Sequence, residues 1–187
     1  MKIEHNSHLD LTNELHKRFQ LRVVRPDEVE RVTDWLILER PSSRGWTDYS
    51  RIQAQIKSEQ SSALAVISEH PHSRRLNGAM LLSAIGTDLW YIPWIYIRQD
   101  ERNRGLGRGI MYFGMLQGFF RGGETFQWDT STEQKYNGSV RFHTRVGGTP
   151  PDLIKRGYFD NSPDNHGAIW IKNITEIKPR IIEFLVV

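Results

Sequence analysis

The stretch LWYIPWIYIRQDERNRGLGRGIMYFGMLQGFF, residues 89–120, holds the features that decide the fold. It begins with an apolar run from Leu89 to Ile97 that is typical of a buried strand, and Pro93 lies inside this run. Because proline cannot donate to a sheet ladder, a proline here predicts an edge, a bulge or a splay in the sheet. The apolar residues after the run recur at helical spacing through Phe120. The stretch therefore predicts a strand, a loop and a helix in succession.

The loop between this strand and this helix is rich in glycine and arginine. Glycines occupy positions 105, 107 and 109, and arginines occupy positions 98, 102, 104 and 108. Glycines leave backbone amides unobstructed, and the helix behind them adds its positive end, so the loop suits a pyrophosphate. Guanidinium groups add donors that prefer phosphate. A glycine-rich strand-to-helix turn with surface arginines fits the same residues, and the pattern alone leaves both readings open.

Two other kinds of phosphate loop match the residues less well. A Walker loop ends in Gly-Lys-Ser/Thr, whereas this loop ends in Arg108-Gly109-Ile110. A dinucleotide fingerprint has the spacing Gly-x-Gly-x-x-Gly and an acidic residue about 20 positions further on. Here the spacing is Gly-x-Gly-x-Gly, although Asp129 lies at a suitable distance after Gly107.

Composition narrows the class of protein. The chain has 187 residues, which predicts one domain, and 38% of them are hydrophobic. The absence of cysteine excludes disulfides, thiolate nucleophiles and cysteine-based zinc sites. The 25 basic and 22 acidic residues give a net charge of +3, too small to predict nucleic-acid binding. No apolar run is long enough for a membrane span and no signal peptide is evident, so we expect a cytoplasmic protein without membrane partners.

The rest of the chain predicts a single mixed domain over residues 19–187, preceded by a polar leader over residues 1–18. The expected strands are 19–23, 63–67, 76–85, 125–129, 154–159 and 168–174, and the expected helices are 29–39, 49–60 and 137–146. The apolar tail over residues 179–187 gives no clear pattern. His70 and His72 lack a third ligand at suitable spacing, and so we expect no metal site.

The segment from Ile95 to Gly107, IYIRQDERNRGLG, resembles the acetyl-coenzyme A binding motif of the GNAT N-acetyltransferase superfamily. The order of expected elements is similar to that family over roughly residues 19–175. The resemblance implies an α+β, acyl-CoA N-acyltransferase-like fold with a mostly antiparallel central sheet, splayed in the middle, and helices on both faces. It also implies acetyl-coenzyme A as the acyl donor. The implied coenzyme-binding residues are Ile95, Tyr96, Ile97, Arg102, Asn103, Arg104, Gly105, Leu106, Gly107, Arg108, Gly109 and Asn137.

The same resemblance implies three catalytic candidates. Many family members carry a Glu or His as general base where this chain has Tyr91, and a tyrosine with a pKa near 10 is a poor base at neutral pH. Asp88 and Asp129 are possible substitutes that would act through water. The family's acid, a Tyr on the helix after Asn137, corresponds to His143, so we expect kcat to fall on the alkaline side with an apparent pKa near that of histidine, unless the site shifts it. Tyr136 is the next candidate for this role.

We therefore expect transfer of an acetyl or short acyl group to an amine by direct attack in a ternary complex. A small-molecule or peptide amine is the expected acceptor, beside a loop over residues 40–49 with Trp46 and Tyr49, and with Trp94 facing a cleft. Two other functions stay open: a non-catalytic acyl-coenzyme A sensor, and a nucleic-acid module that uses the arginines. A homodimer is possible through the apolar tail, residues 184–187.

Overall fold

The computed structural model of the chain describes residues 7–39, 63–157 and 166–186. Within these ranges, five α-helices and seven strands follow one another along the chain. In order they are α1 (His8–Phe19), β1 (Leu21–Val23), α2 (Val29–Glu39), β2 (Ala63–Glu69), β3 (Leu76–Ala84), β4 (Leu89–Ile97), α3 (Leu106–Phe119), β5 (Thr125–Ser131), α4 (Asn137–Gly147), β6 (Leu153–Lys155), β7 (Gly167–Asn173) and α5 (Ile174–Val186).

The strands form one sheet in the order β1-β2-β3-β4-β5-β7-β6. Every neighbouring pair is antiparallel except β4 and β5, which are parallel. The parallel pair is joined by α3, as a parallel connection requires a crossover. The mixed, mostly antiparallel α+β architecture expected from the sequence is therefore confirmed.

Strand β4 contains a bulge at the predicted proline. Against β3, Leu81 lies opposite Trp94 and Ser83 lies opposite Tyr91, so one residue of β3 faces two residues of β4, Ile92 and Pro93. The extra residue reverses the alternation of side chains along β4. Trp90 and Ile92 pack into one core before the bulge, and Ile95 and Ile97 pack against that same core after it.

Helices cover both faces of the sheet, as expected. On one face, α1, α3, α4 and α5 bury a large core with residues such as Leu15, Ile110, Trp128 and Ile177. We call this side the four-helix face. On the other face, α2 packs a smaller core over β2, β3 and β4, which includes Leu36, Ile67, Leu81 and Tyr96. Burial of these apolar surfaces is the main favourable term that holds the layers together.

Two glycines let α3 lie close to the sheet. A Cβ atom at Gly114 would clash with the side chain of Met80, and one at Gly118 would lie 2.8 Å from Cε1 of Phe126. Side chains in a close-packed core do not yield that much space. The interior glycines of α3 are thus explained by helix-to-sheet packing, and they place the helix start directly behind the end of β4.

Both ends of the described chain are helices that pack into the core. Residues 8–19, almost all within the segment expected to be a loose or partly helical leader, form a helix whose Leu11 and Leu15 are fully buried. The tail, for which the pattern was unclear, forms α5, and its Phe184 packs against Phe19 and Tyr112. Phe184 is therefore a core residue rather than an exposed apolar residue for a dimer. The expected helix over residues 49–60 lies outside the described residues.

Candidate active site

The sheet opens between β4 and β5. The two strands pair from Leu89 with Thr125 as far as Ile92 with Trp128, and β5 then continues along β7 to Ser131. The point of divergence is the bulge at Pro93, so the predicted splay near this proline is confirmed. Beyond this point the two strands no longer pair with each other, which leaves space between their backbones for a ligand.

The glycine loop places the start of α3 at one end of this gap. Gly105 is the N-cap of the helix and has a φ of 83°, in the left-handed region that favours glycine. The amide of Gly109 donates to the carbonyl of Gly105 at 3.0 Å and so closes the first turn. The first amides of a helix have no carbonyl partner within the helix, and the macrodipole is positive at this end. The helix start is therefore able to bind an anion.

Each of the three loop glycines also faces an aromatic ring. A Cβ atom would lie 3.3 Å from Phe184 at Gly105, 3.0 Å from Phe142 at Gly107 and 2.6 Å from Phe19 at Gly109. The three rings come from α5, α4 and α1 respectively. The glycine spacing was expected to clear room for a phosphate. The structure shows that it also lets three helices close in behind the loop.

The arginines of the loop differ in their partners. Arg98 pairs with Glu39 and with Asp100, each at 3.1 Å, so its charge is already balanced. Arg104 pairs with Glu101 at 3.3 Å. Among the described residues, Arg102 and Arg108 have no acidic partner. Arg102 donates from Nε to the carbonyl of Ile97 at 3.1 Å, and Arg108 lies over the ring of Phe184, 4.5 Å from its centroid.

The other expected coenzyme residues lie around the loop. Ile95 and Ile97 pack against the four-helix core, whereas Tyr96 is buried on the opposite face and donates to Oε2 of Glu39 at 3.0 Å. Leu106 is buried, and the exposed Asn137 begins α4. Asn103 has a φ of 62°, a left-handed conformation that is uncommon outside glycine.

Tyr91 and Asp129, two of the catalytic candidates, are in direct contact. The hydroxyl of Tyr91 donates to Oδ2 of Asp129 at 2.7 Å, across the point where β4 and β5 part. Trp90 and Trp128, the neighbours of these residues along β4 and β5, are buried on the four-helix face, so Tyr91 and Asp129 lie on the other face of the sheet. We call this other face the Asp129 face. A phenol at this distance stabilises the carboxylate and fixes its orientation. The other acidic candidate, Asp88, precedes β4 and lies at the other end of the paired strands.

His143, the third catalytic candidate, lies on the four-helix face. Its ring centroid is 4.9 Å from that of Phe142 and 5.5 Å from that of Trp170, and its Nδ1 is buried with no hydrogen-bond partner among the described residues. Burial lowers the pKa of His143 to about 3. The imidazole is therefore neutral at neutral pH, and the expected alkaline fall of kcat near the ordinary pKa of histidine does not apply to this environment.

Sequence reasoning missed one cluster beside the site. Glu39, the last residue of α2, accepts from Tyr96 and Arg98 and so joins α2 to the end of β4. The carboxylate balances Arg98, which the sequence suggested as a phosphate donor. The expected acceptor loop with Trp46 and Tyr49 lies outside the described residues, and Trp94 packs half-buried against the core beneath α2.

The described part of the chain has neither a metal-binding cluster nor a helix that could span a membrane. No group of three or more His, Cys, Asp or Glu side chains is arranged to hold a metal ion within residues 7–39, 63–157 and 166–186. In those same ranges, no helix has the length and apolar character needed to cross a membrane.

Comparison with known proteins shows what fold this is. No protein-family model matches the sequence, and no curated protein is similar enough in sequence to match. Among solved structures, a protein assigned to the GNAT family of acetyltransferases from Desulfovibrio desulfuricans is similar, with a TM-score of 0.67 at 14% identity over 82% of this chain and 98% of that one. An aminoglycoside 6'-N-acetyltransferase in complex with coenzyme A gives 0.62 at 15% identity, over 82% and 96%. The spermidine/spermine N-acetyltransferase of Vibrio cholerae gives 0.62 at 12% identity, over 86% and 95%.

Proposed function

We propose that this chain, which has the fold of the GNAT acetyltransferases, transfers an acetyl or other short acyl group from acyl-coenzyme A to an amine. The observation that carries the proposal is the opening of the sheet at Pro93. It joins an anion-binding helix start on one side to the Tyr91–Asp129 pair on the other. Similarity to a coenzyme A complex supports the choice of donor.

The positive charges around the loop are complementary to the negative phosphates of coenzyme A. Its pyrophosphate needs several donors, and the start of α3 supplies backbone amides beside two guanidinium groups. Arg102 and Arg108 have no acidic partner in the described ranges, so binding a phosphate would break no ion pair of theirs. A charge-assisted hydrogen bond of this kind contributes about 1.5–3 kcal/mol.

The proposed reaction is direct attack in a ternary complex. The amine nitrogen forms a bond to the thioester carbon, the carbon–sulfur bond breaks, and the thiolate of coenzyme A leaves. The chain has no cysteine, so no acyl group can pass through a cysteinyl intermediate. The ammonium form of the acceptor loses one proton before it attacks, and this proton passes to water. The nitrogen loses a second proton as the amide forms, and the departing thiolate gains that one.

We assign the proton from the amine to Asp129. Its carboxylate is held by the Tyr91 hydroxyl at 2.7 Å and lies beside the opening of the sheet. A carboxylate there attracts the ammonium group and passes its proton to water, with Tyr91 as the positioning residue. His143 is assigned a different task from the one expected. As a neutral imidazole it donates an N–H hydrogen bond toward the leaving thiolate, without being the protonated acid.

The first test is binding of coenzyme A. At 100 times its Kd, a ligand that binds only the folded state stabilises it by about 2.7 kcal/mol, which a melting curve detects and calorimetry quantifies. The next test is release of free thiol from acetyl-coenzyme A with a panel of amines. An unchanged melting curve with saturating coenzyme A, confirmed by calorimetry, rejects the site.

Two other outcomes identify the alternative functions. Tight binding of coenzyme A without turnover of any amine points to a sensor. This alternative stays open because Tyr91 occupies the position of the usual general base. Binding to nucleic acid that weakens steeply with salt, without binding of coenzyme A, points to a nucleic-acid module.

A further inference from the structure

We propose that the terminal helices α1 and α5 build a second phosphate site beside the glycine loop, which takes the phosphomonoester of coenzyme A. Its residues are Arg18, Arg108 and Phe184, and we call them the terminal subsite. The inference rests on the proposed function, because it adds a specificity determinant to the same donor site. Arg18 and Phe184 lie outside residues 19–175, over which the chain resembles the GNAT superfamily, so the resemblance does not imply this contact.

One aromatic ring brings two guanidinium groups together. The Cζ atom of Arg108 lies 4.5 Å from the ring centroid of Phe184, and the Cζ atom of Arg18 lies 5.5 Å from the same centroid. Both distances are within the range of cation–π contacts, so both charges are held at one ring. The three residues come from different helices, since Arg18 lies near the end of α1, Arg108 in the first turn of α3 and Phe184 near the end of α5.

This ring lies directly behind the glycine loop. A Cβ atom at Gly105, the N-cap of α3, would lie 3.3 Å from Cε2 of Phe184. The Phe184 ring stacks on Phe19 with 5.6 Å between the centroids, and it meets Tyr112 edge-on at 5.5 Å, so packing fixes its position. The two guanidinium groups on this ring therefore lie beside the helix start that is proposed to bind the pyrophosphate.

The contacts of Arg18 orient its side chain without balancing its charge. Its Nη1 donates long hydrogen bonds to the carbonyls of Phe184 and Leu185, each at 3.4 Å, in the last turn of α5. These acceptors are neutral, and a guanidinium has further N–H donors on its other nitrogens. Arg18 is exposed and Arg108 is half-buried, so an anion in solution can reach both groups.

The acids nearest to this ring along the chain are already paired. Glu14, one turn before Arg18, pairs with Lys17 at 3.1 Å. Glu183, next to Phe184, pairs with Arg180 at 3.2 Å. Within residues 7–39, 63–157 and 166–186, neither Arg18 nor Arg108 has a carboxylate partner. Two like charges at one ring repel each other, and an anion bound between them would remove this repulsion.

The chemistry of coenzyme A supplies such an anion next to its pyrophosphate. The pyrophosphate suits the amides of the helix start together with Arg102. The adenosine of the coenzyme carries a further phosphomonoester, and a group of this kind has a charge of about −1.5 to −2 at pH 7. Guanidinium groups present parallel N–H donors that match two phosphate oxygens, so a pair of arginines suits this group better than a single charge would.

The probe that isolates this contact is 3′-dephospho-coenzyme A, which lacks the phosphomonoester. By calorimetry, the wild-type protein should bind coenzyme A about tenfold or more tightly than the dephospho form. Arg18→Ala should weaken binding of coenzyme A about tenfold and that of the dephospho form less than about twofold, because only coenzyme A carries the group that Arg18 binds. Arg102→Ala should weaken both ligands alike, since both carry the pyrophosphate.

Lys17 offers a matched control on the same helix. It precedes Arg18, its side chain is 70% exposed, and it pairs with Glu14. Lys17→Ala removes one positive charge from the same turn, and at 0.15 M salt it should change either affinity by less than about twofold, because salt screens charges that do not touch the ligand. Arg18→Lys keeps the charge without the fork of donors, so it should restore only part of the preference for coenzyme A.

The outcomes separate this inference from the proposed function. Equal affinities of the wild-type protein for the two ligands, or equal losses for both in Arg18→Ala, overturn the terminal subsite and leave acyl transfer standing. Equal effects of Lys17→Ala and Arg18→Ala also overturn it, as does inorganic phosphate that competes equally with both ligands. A preference for coenzyme A that depends on Arg18, with no turnover of any amine, upholds the subsite and overturns the proposed function. Binding of neither ligand overturns both.

Discussion

The molecule has two groups of arginines that differ in how their charge is balanced. At the outer edge of the sheet, Arg22, Arg25, Arg31 and Arg74 surround Glu28 and Glu69, which are each 6% exposed. We call these six residues the edge cluster. At the start of α3, Arg102, Arg104 and Arg108 have one carboxylate partner between them among the described residues, Glu101. We call these three the loop arginines.

The edge cluster is an internal ion network. Arg22 contacts Glu28 and Glu69, each at 2.6 Å, and its hydrogen bonds lower the pKa of Glu28 to about 2. Burial alone would raise the pKa of Glu69, but hydrogen bonds from Arg22 and Arg31 lower it on balance. The cluster ties β1 and β2 to the start of α2. The difference teaches that an arginine-rich segment predicts a ligand site only where the fold leaves the guanidinium groups without carboxylates.

The largest expected effect is loss of stability on breaking the edge cluster. Glu28→Gln leaves Arg22 without one of its two carboxylate partners, and removal of one member of a buried pair costs about 3 kcal/mol. Urea unfolding measures this change. The exposed pair of Glu183 with Arg180 is the control, and Glu183→Gln should cost under about 0.5 kcal/mol. The contrast between the edge cluster and the loop arginines is wrong if Glu28→Gln weakens coenzyme A binding but leaves the free energy of unfolding unchanged.

The loop arginines should show the opposite behaviour. We expect Arg102→Ala to weaken coenzyme A binding by roughly 10- to 150-fold, from the loss of about 1.5–3 kcal/mol, because a charge-assisted hydrogen bond disappears. The free energy of unfolding should change by less than about 0.5 kcal/mol, since the side chain is exposed. Calorimetry and urea unfolding give the two values. A greater loss of affinity in Arg108→Ala than in Arg102→Ala would show that the motif is misaligned.

Lowering the pH should reduce the free energy of unfolding in two pH ranges, one set by the buried His143 and one by the buried Glu28. The pKa of His143 falls from 6.5 in the unfolded chain to about 3 in the folded one, so the unfolded state binds the proton first. Stability is thus complete above about pH 6.5 and falls as the pH drops, by about 2 kcal/mol at pH 5. Glu28 contributes stability above about pH 4.5 that is lost toward pH 2.

Urea unfolding at a series of pH values tests this assignment. His143→Phe should flatten the decline between pH 6.5 and 4.5, while Glu28→Gln should flatten only the decline below 4.5. If wild type and His143→Phe lose stability in parallel between pH 6.5 and 4.5, His143 is not neutral in the folded protein.

The smallest expected effect concerns an exposed member of the edge cluster, which is compared with the buried Glu28. Arg25 is 64% exposed, and it pairs with the exposed Asp27 at 3.5 Å and with the buried Glu28 at 3.2 Å. Arg25→Ala should lower the free energy of unfolding by less than about 1 kcal/mol, because water screens such pairs. A loss as large as that of Glu28→Gln would mean that the six residues act as one indivisible unit.

The strand, loop and helix over residues 89–120 were predictable because their signals are local. The bounds of β4 agree with the apolar run from Leu89 to Ile97, and Pro93 marked both the bulge and the splay. Local signals also existed for α1, where Ser7 caps the helix and Leu11 and Leu15 share one face. The polar residues between them concealed that pattern. In α5 the apolar residues recur at helical spacing, but Pro179 lies among them, and so no clear helix could be predicted there.

The arrangement of the candidate site depends on contacts that the sequence does not contain. Tyr91 and Asp129 were both suggested, but their contact follows from the parallel register of β4 and β5. His143 was placed on the correct helix, whereas its burial follows from packing against Trp170 on a distant strand. Arg98 was grouped with the loop arginines, and only the fold brings Glu39 beside it. Chemistry of single residues was predictable, and their partners were not.

The bulge at Pro93 has a consequence for how β4 is used. A regular strand would send every second side chain to the same face along its whole length. The extra residue shifts the phase by one, so Tyr91 and Tyr96 lie on one side of the sheet although an even spacing would require Tyr91 and Ile95. Deletion of Pro93 would therefore give a regular strand with Ile95 and Ile97 still on the side of Trp90 and Ile92. A regular strand that kept Pro93 would instead exchange Ile95 and Ile97 with Trp94 and Tyr96, and the strand end that leads into the loop would turn its aliphatic residues away from α3.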